Sequence, residues 1–126
     1  MLHYRTIVSD VGPEVSALLE GGVLILYSHG APPELAEVSV LHRVVEASAD
    51  APRVGALLRI GDVTSRVTSV GPTAWHKVSE LGHVVINFNG SENAERPGEI
   101  CVRLVDHQAL LDSMKSGSVI EIVGDA

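Results

Sequence analysis

Along the chain, short runs rich in valine, isoleucine and leucine are broken by glycine, proline or polar residues at intervals of about 8 to 15 residues, the spacing of an all-β domain. The pattern predicts strands near Tyr4 to Val11, Gly22 to Tyr27, Val38 to Val45, Ala56 to Ile60, Val63 to Val70, His83 to Phe88, Glu99 to Leu104 and Ser118 to Val123. So many short strands in 126 residues need protected edges. The expected fold class is therefore mainly β: a single small closed or nearly closed β-barrel with a few short helices covering its ends.

Three segments between the strands carry helical signals. Pro13 to Leu19 begins with a proline suited to a first turn and sets Val15, Leu18 and Leu19 on one face. Pro32 to Ala36 is shorter. Asp106 to Met114 opens on a residue suited to an N-cap and sets Ala109, Leu110 and Met114 toward a core. Trp75 and His76 fall in a connecting segment after Pro72, with the indole read as core packing. Gly61-Asp62 reads as a tight hairpin turn, Asn89-Gly90 as a strand end, and Ser91 to Gly98 as a surface loop.

Composition narrows the setting. With 45% apolar and 20% charged residues, the chain suits one globular domain spanning residues 1–126. Its longest apolar run, Gly22 to Tyr27, falls far short of the ~20 residues a membrane helix needs. Met1-Leu2-His3-Tyr4-Arg5 leads straight into mixed sequence without the apolar stretch of a secretion signal, so the expected location is the cytoplasm. A single cysteine, Cys101, agrees with a reducing compartment and is read as a small packing hydrophobe. The Asn89-Gly90-Ser91 sequon is then expected to be silent. The formal net charge of −7, with no basic cluster, argues against nucleic acid and suits a protein partner bearing basic groups.

Chemistry would begin with the six histidines, His3, His29, His42, His76, His83 and His107, whose ordinary pKa lies near neutrality. Strand alternation puts Val38, Val40, His42 and Val44 on one face and Ser39, Leu41, Arg43 and Val45 on the other, so His42 interrupts an apolar row. A buried imidazole left without partners costs about 1 to 3 kcal/mol, so its site must offer a hydrogen bond or a cleft. Arg43 points away from His42 by the same periodicity. His83 heads an apolar strand just after Gly82, a position suited to a site rim. No His-x-His or His-x3-His pair, serine-hydrolase elbow, Walker loop or dinucleotide fingerprint is present, and the lone cysteine has no near partner. Zinc held by distant residues such as His29, His42 and His83 stays open on spacing alone.

Gly30-Ala31-Pro32-Pro33-Glu34-Leu35, followed after several residues by Leu41-His42, resembles the segment around the phosphorylated histidine of one family: the glucitol/sorbitol-specific IIA components of the bacterial phosphoenolpyruvate-dependent sugar phosphotransferase system. Leu81-Gly82-His83-Val84 with Phe88-Asn89-Gly90 is similar to a second block of that family. Glu95-Arg96-Pro97-Gly98 and Gly117-Ser118-Val119-Ile120 continue the likeness in order along almost the whole chain. The resemblance implies a phosphocarrier with His42 as the phosphohistidine nucleophile and His83 as an orienting or phosphate-stabilising partner. It further implies HPr as phosphoryl donor, the IIB/IIC membrane permease as acceptor, and no metal or nucleotide cofactor. Where some members carry a second histidine two residues after the phosphorylated one, this chain has Val44. That departure leaves room for a regulatory or binding module of the same fold without phosphotransfer. A metal-dependent enzyme is a more distant alternative.

Overall fold

The computed structural model describes residues 1–124. In chain order the elements are β1 (Leu2–Val11), α1 (Val15–Glu20), β2 (Val23–Ser28), α2 (Pro33–Ala36), β3 (Val40–Ala47), β4 (Leu57–Ile60), β5 (Val63–Val70), α3 (Ala74–Leu81), β6 (Val84–Asn87), β7 (Glu99–Val102), α4 (His107–Ser113) and β8 (Val119–Val123). The eight strands close into a barrel in the order β1-β3-β2-β6-β7-β5-β4-β8, with β8 returning to β1. Neighbouring strands run antiparallel except β2 with β3 and β6 with β7, which are parallel.

The expected mainly β barrel is therefore the observed one, and each expected strand exists within a residue or two at most of its bounds. Alternation places Leu24 and Leu26 of β2, Val84 and Ile86 of β6, and Ile120 and Ile122 of β8 inside, where they join one continuous hydrophobic core. The Gly61-Asp62 turn joins Ile60 to its cross-strand partner Val63, with Gly61 at φ 55°. Asp106 caps α4 by accepting from the Ala109 N–H at 3.0 Å. Leu110 and Met114 are buried beneath that helix as expected, but Ala109 is exposed.

α3 is a helix where a connecting segment was expected. Its signal is the spacing of Ala74, Trp75 and Val78, all buried, together with Gly82, which ends it in the left-handed conformation at φ 59°. Trp75 does pack in the core. Its Nε1–H donates to the Ser48 carbonyl at 2.9 Å, and its ring meets that of Tyr4 edge-on, with centroids 5.7 Å apart.

β3 departs from simple alternation. Val38 precedes the strand, and Val40, Leu41 and His42 are buried in succession. Val44, expected to face inward, is 44% exposed. The cause lies in the neighbours: β2 flanks β3 only from Val40 to His42, whereas β1 continues alongside to Ala47 and shifts register between Arg5 and Thr6. Beyond His42 the barrel wall thins to a single paired edge.

Candidate functional site

His42 sits where that wall thins. Its strand partners are Val8 of β1 and Ser28 of β2, and the segment leaving α3 closes over it. Only 1% of the residue is exposed, and both ring nitrogens have partners. Nδ1 lies 2.5 Å from Thr6 Oγ1, and Nε2 lies 2.6 Å from the Gly82 carbonyl. Thr6 reaches the ring because it faces inward, two residues before Val8 and diagonal to His42 across the β1–β3 ladder.

These contacts assign the tautomer. A carbonyl only accepts, so neutral His42 carries its proton on Nε2 and donates it to Gly82. Nδ1 is then the bare nitrogen and accepts the Thr6 hydroxyl proton. Burial lowers the His42 pKa below its ordinary value of 6.5, partly offset by the Gly82 bond, which favours the charged ring. The ring is consequently neutral at pH 7 and oriented at both ends.

The carbonyl is placed by a glycine. Gly82 adopts φ 59°, and a Cβ there would run into the Ser28 side chain. Ser28 in turn donates from Oγ to the Leu81 carbonyl at 2.7 Å, tying the end of β2 to the end of α3. Tyr4 completes the inner wall, its ring edge-on to His42 with centroids 6.2 Å apart.

His83 lies next to this constellation in sequence, but its ring takes another direction. Val84 faces the core, so His83 faces outward, where its ring packs against Tyr27 at 5.1 Å between centroids. Burial and the nearby Lys77 charge both lower its pKa. The groups that hold the His42 nitrogens are Thr6 and the Gly82 carbonyl. Neither was legible beforehand, because one is 36 positions away and the other is backbone.

Arg43 points away from His42 as expected and donates to His29 Nε2 at 3.3 Å, while His29 Nδ1 faces Ser9 Oγ at 3.2 Å. His29, His42 and His83 thus have separate partners and do not converge. Among the described residues, no three His, Cys, Asp or Glu side chains are grouped to hold a metal ion. His3 bonds the Asp50 carbonyl and His76 pairs with Glu80 on the surface of α3. Cys101 is buried, and burial pushes its thiol pKa up, in keeping with a packing role.

The closed barrel matches a solved architecture. The crystal structure of the PTS system IIA component from Enterococcus faecalis V583 superposes with a TM-score of 0.75, at 18% identity, over 94% of this chain and 98% of that one. The fold is thus that of a sugar phosphotransferase system IIA component. The family model for the PTS system glucitol/sorbitol-specific IIA component matches residues 3–121, and the chain belongs to that family. The glucitol/sorbitol-specific EIIA components of Shigella flexneri and Escherichia coli (strain K12) are each 31% identical to it over 118 residues, covering 94% of this chain and 92% of each relative. Membership supports a phosphocarrier role within the phosphotransferase system.

Proposed function

We propose that the protein accepts a phosphoryl group from phospho-HPr on His42 and passes it to the IIB domain of a glucitol/sorbitol permease, acting in the cytoplasm as a single-domain carrier. The observation that carries this reading is the His42 ring itself: neutral, fixed at both nitrogens, and set beneath a glycine turn in a chain of this family. A neutral imidazole is the nucleophilic form, and fixing its plane supplies the in-line alignment that phosphoryl transfer requires. Nε2 is the attacking nitrogen in this reading, since it faces the α3–β6 junction, where buried Gly82 is followed by half-buried His83 and preceded by Leu81, 47% exposed. Nδ1 faces Thr6 and Tyr4, both buried. Transfer then requires the Gly82 carbonyl to withdraw. His83 would assist the phosphoryl group through its backbone N–H, released from the Lys77 carbonyl to which it donates at 3.4 Å, since its ring packs outward against Tyr27.

The test is to incubate the protein with phosphoenolpyruvate, Enzyme I and HPr and to follow intact mass for an acid-labile, base-stable phosphoryl adduct. Wild type should gain it and folded His42→Gln should not. A second reading has its own observation: His42 is 1% exposed with both nitrogens engaged, as in a binding module that has given up transfer. No adduct on wild type, with a cognate HPr shown to be phosphorylated, would select that module.

A further inference from the structure

The resting ring presents the wrong nitrogen. Nε2 faces the α3–β6 turn but holds the proton, and Nδ1 is bare but faces Thr6 and Tyr4 in the interior. Attack from Nε2 therefore needs the other tautomer, with the proton on Nδ1. A buried Nδ1–H would in turn need an acceptor, because leaving it unpaired costs about as much as a lost hydrogen bond.

We infer that Thr6, backed by Tyr4, is the positioning residue that makes both tautomers of His42 available. A hydroxyl both donates and accepts. In the resting state Thr6 Oγ1–H donates to Nδ1; in the phosphorylated state the same oxygen accepts from Nδ1–H and turns its own proton to Tyr4 Oη. Tyr4 is the second, independent observation. Its hydroxyl is buried and completes no hydrogen bond, although Thr6 is its side-chain neighbour. The phenol oxygen is therefore an unfilled acceptor beside Thr6, available when the Thr6 Oγ1–H turns away from His42.

The step balances without a further reagent. As the Gly82 carbonyl withdraws and water reaches the ring, a proton from water adds to Nδ1 and Nε2 returns one to water, so the exchange is proton-neutral and the ring stays neutral overall. The Nε2–phosphorus bond then forms as the donor's bond to phosphorus breaks, and reversal regenerates the resting tautomer. A methyl group in place of the Thr6 hydroxyl would leave the resting bond to Gly82 intact and remove the acceptor needed afterwards.

The inference rests on the phosphocarrier reading, and its test separates the two. In protein labelled with 15N-histidine, the His42 nitrogens should report Nε2–H before phosphorylation and Nδ1–H with phosphorus on Nε2 afterwards. Thr6→Val should slow phosphoryl uptake by about ten- to a hundredfold. Thr6→Ser should restore most of the rate, and Tyr4→Phe should slow uptake by only a few-fold. Phosphorus on Nδ1 of wild type, or equal rates for wild type and Thr6→Val, overturns the inference alone. No uptake by wild type ends the carrier reading and this one with it.

Discussion

His42 and Glu99 are both buried and titratable, and the barrel treats them in opposite ways. Glu99, 3% exposed at the start of β7, accepts from Asn87 Nδ2 at 2.9 Å and from the backbone N–H groups of Glu95 and Arg96 at 3.1 and 3.4 Å. Burial pushes its pKa up, but these bonds and the Arg96 charge outweigh that and hold it below the usual carboxylate range. Glu99 is thus fixed as an anion that fastens the 91–98 loop. His42 is kept neutral with one partner per nitrogen, and one of those partners can reverse its role. A saturated buried charge stabilises one geometry; a sparingly bonded neutral ring leaves chemistry open.

The largest break in that contrast comes from Glu99→Ala. It strands the Asn87 amide and two backbone N–H groups, and should destabilise the fold by about 2 to 4 kcal/mol in denaturant titrations. Molecules that stay folded should still take up a phosphoryl group. Gly82→Ala follows at about 1 to 3 kcal/mol, because the left-handed backbone and the Ser28 contact both resist a Cβ. Unlike the Glu99 change, it should also slow phosphoryl uptake, and an unaltered rate would show that the Gly82 carbonyl does not gate His42.

Acid titration separates the two residues by pH. The unfolded His42 ring takes up a proton near pH 6.5, while the folded ring resists until its lower pKa is reached. Stability present above pH 6.5 should therefore fall as the pH drops through that window, with His83 adding to the same slope. Glu99 stabilises the fold while ionised, so its contribution is lost only further down, from about pH 4.3 toward its depressed folded value. Denaturation midpoints against pH should flatten in the upper window for His42→Gln and in the lower for Glu99→Gln. The smallest effect belongs to His76→Ala. It removes a solvent-exposed pair with Glu80 and should change stability by no more than about 0.5 kcal/mol.

Much of this fold is written locally. Val63 to Val70 could be read directly because β-branched alternation follows a glycine turn, and the Asp106 cap announced α4. α3 escaped because its N-cap residue Thr73 makes no side-chain bond and its apolar face is only three buried residues wide. The strand order was beyond local reading, since β1 lies between β3 and β8 and two neighbouring pairs run parallel. In the site, His42 was legible as a polar break in an apolar row. The outward turn of the His83 ring was within reach of the same parity argument, because Val84 must face inward. Thr6 looked like any β-former, and a backbone carbonyl has no letter in the sequence.

Closure of the barrel has a kinetic consequence. The seam between β1 and β8 pairs Leu2 with Val123, so the last wall panel joins segments from opposite ends of the described chain. Such non-local pairing slows the search for the native topology, and domains of this kind refold in about milliseconds to seconds rather than microseconds. Thr6 lies in β1, which that seam holds in place through Thr6 and Ile120. The frame that holds the His42 ring thus depends on a pairing between distant parts of the chain, the kind of contact that forms late in folding.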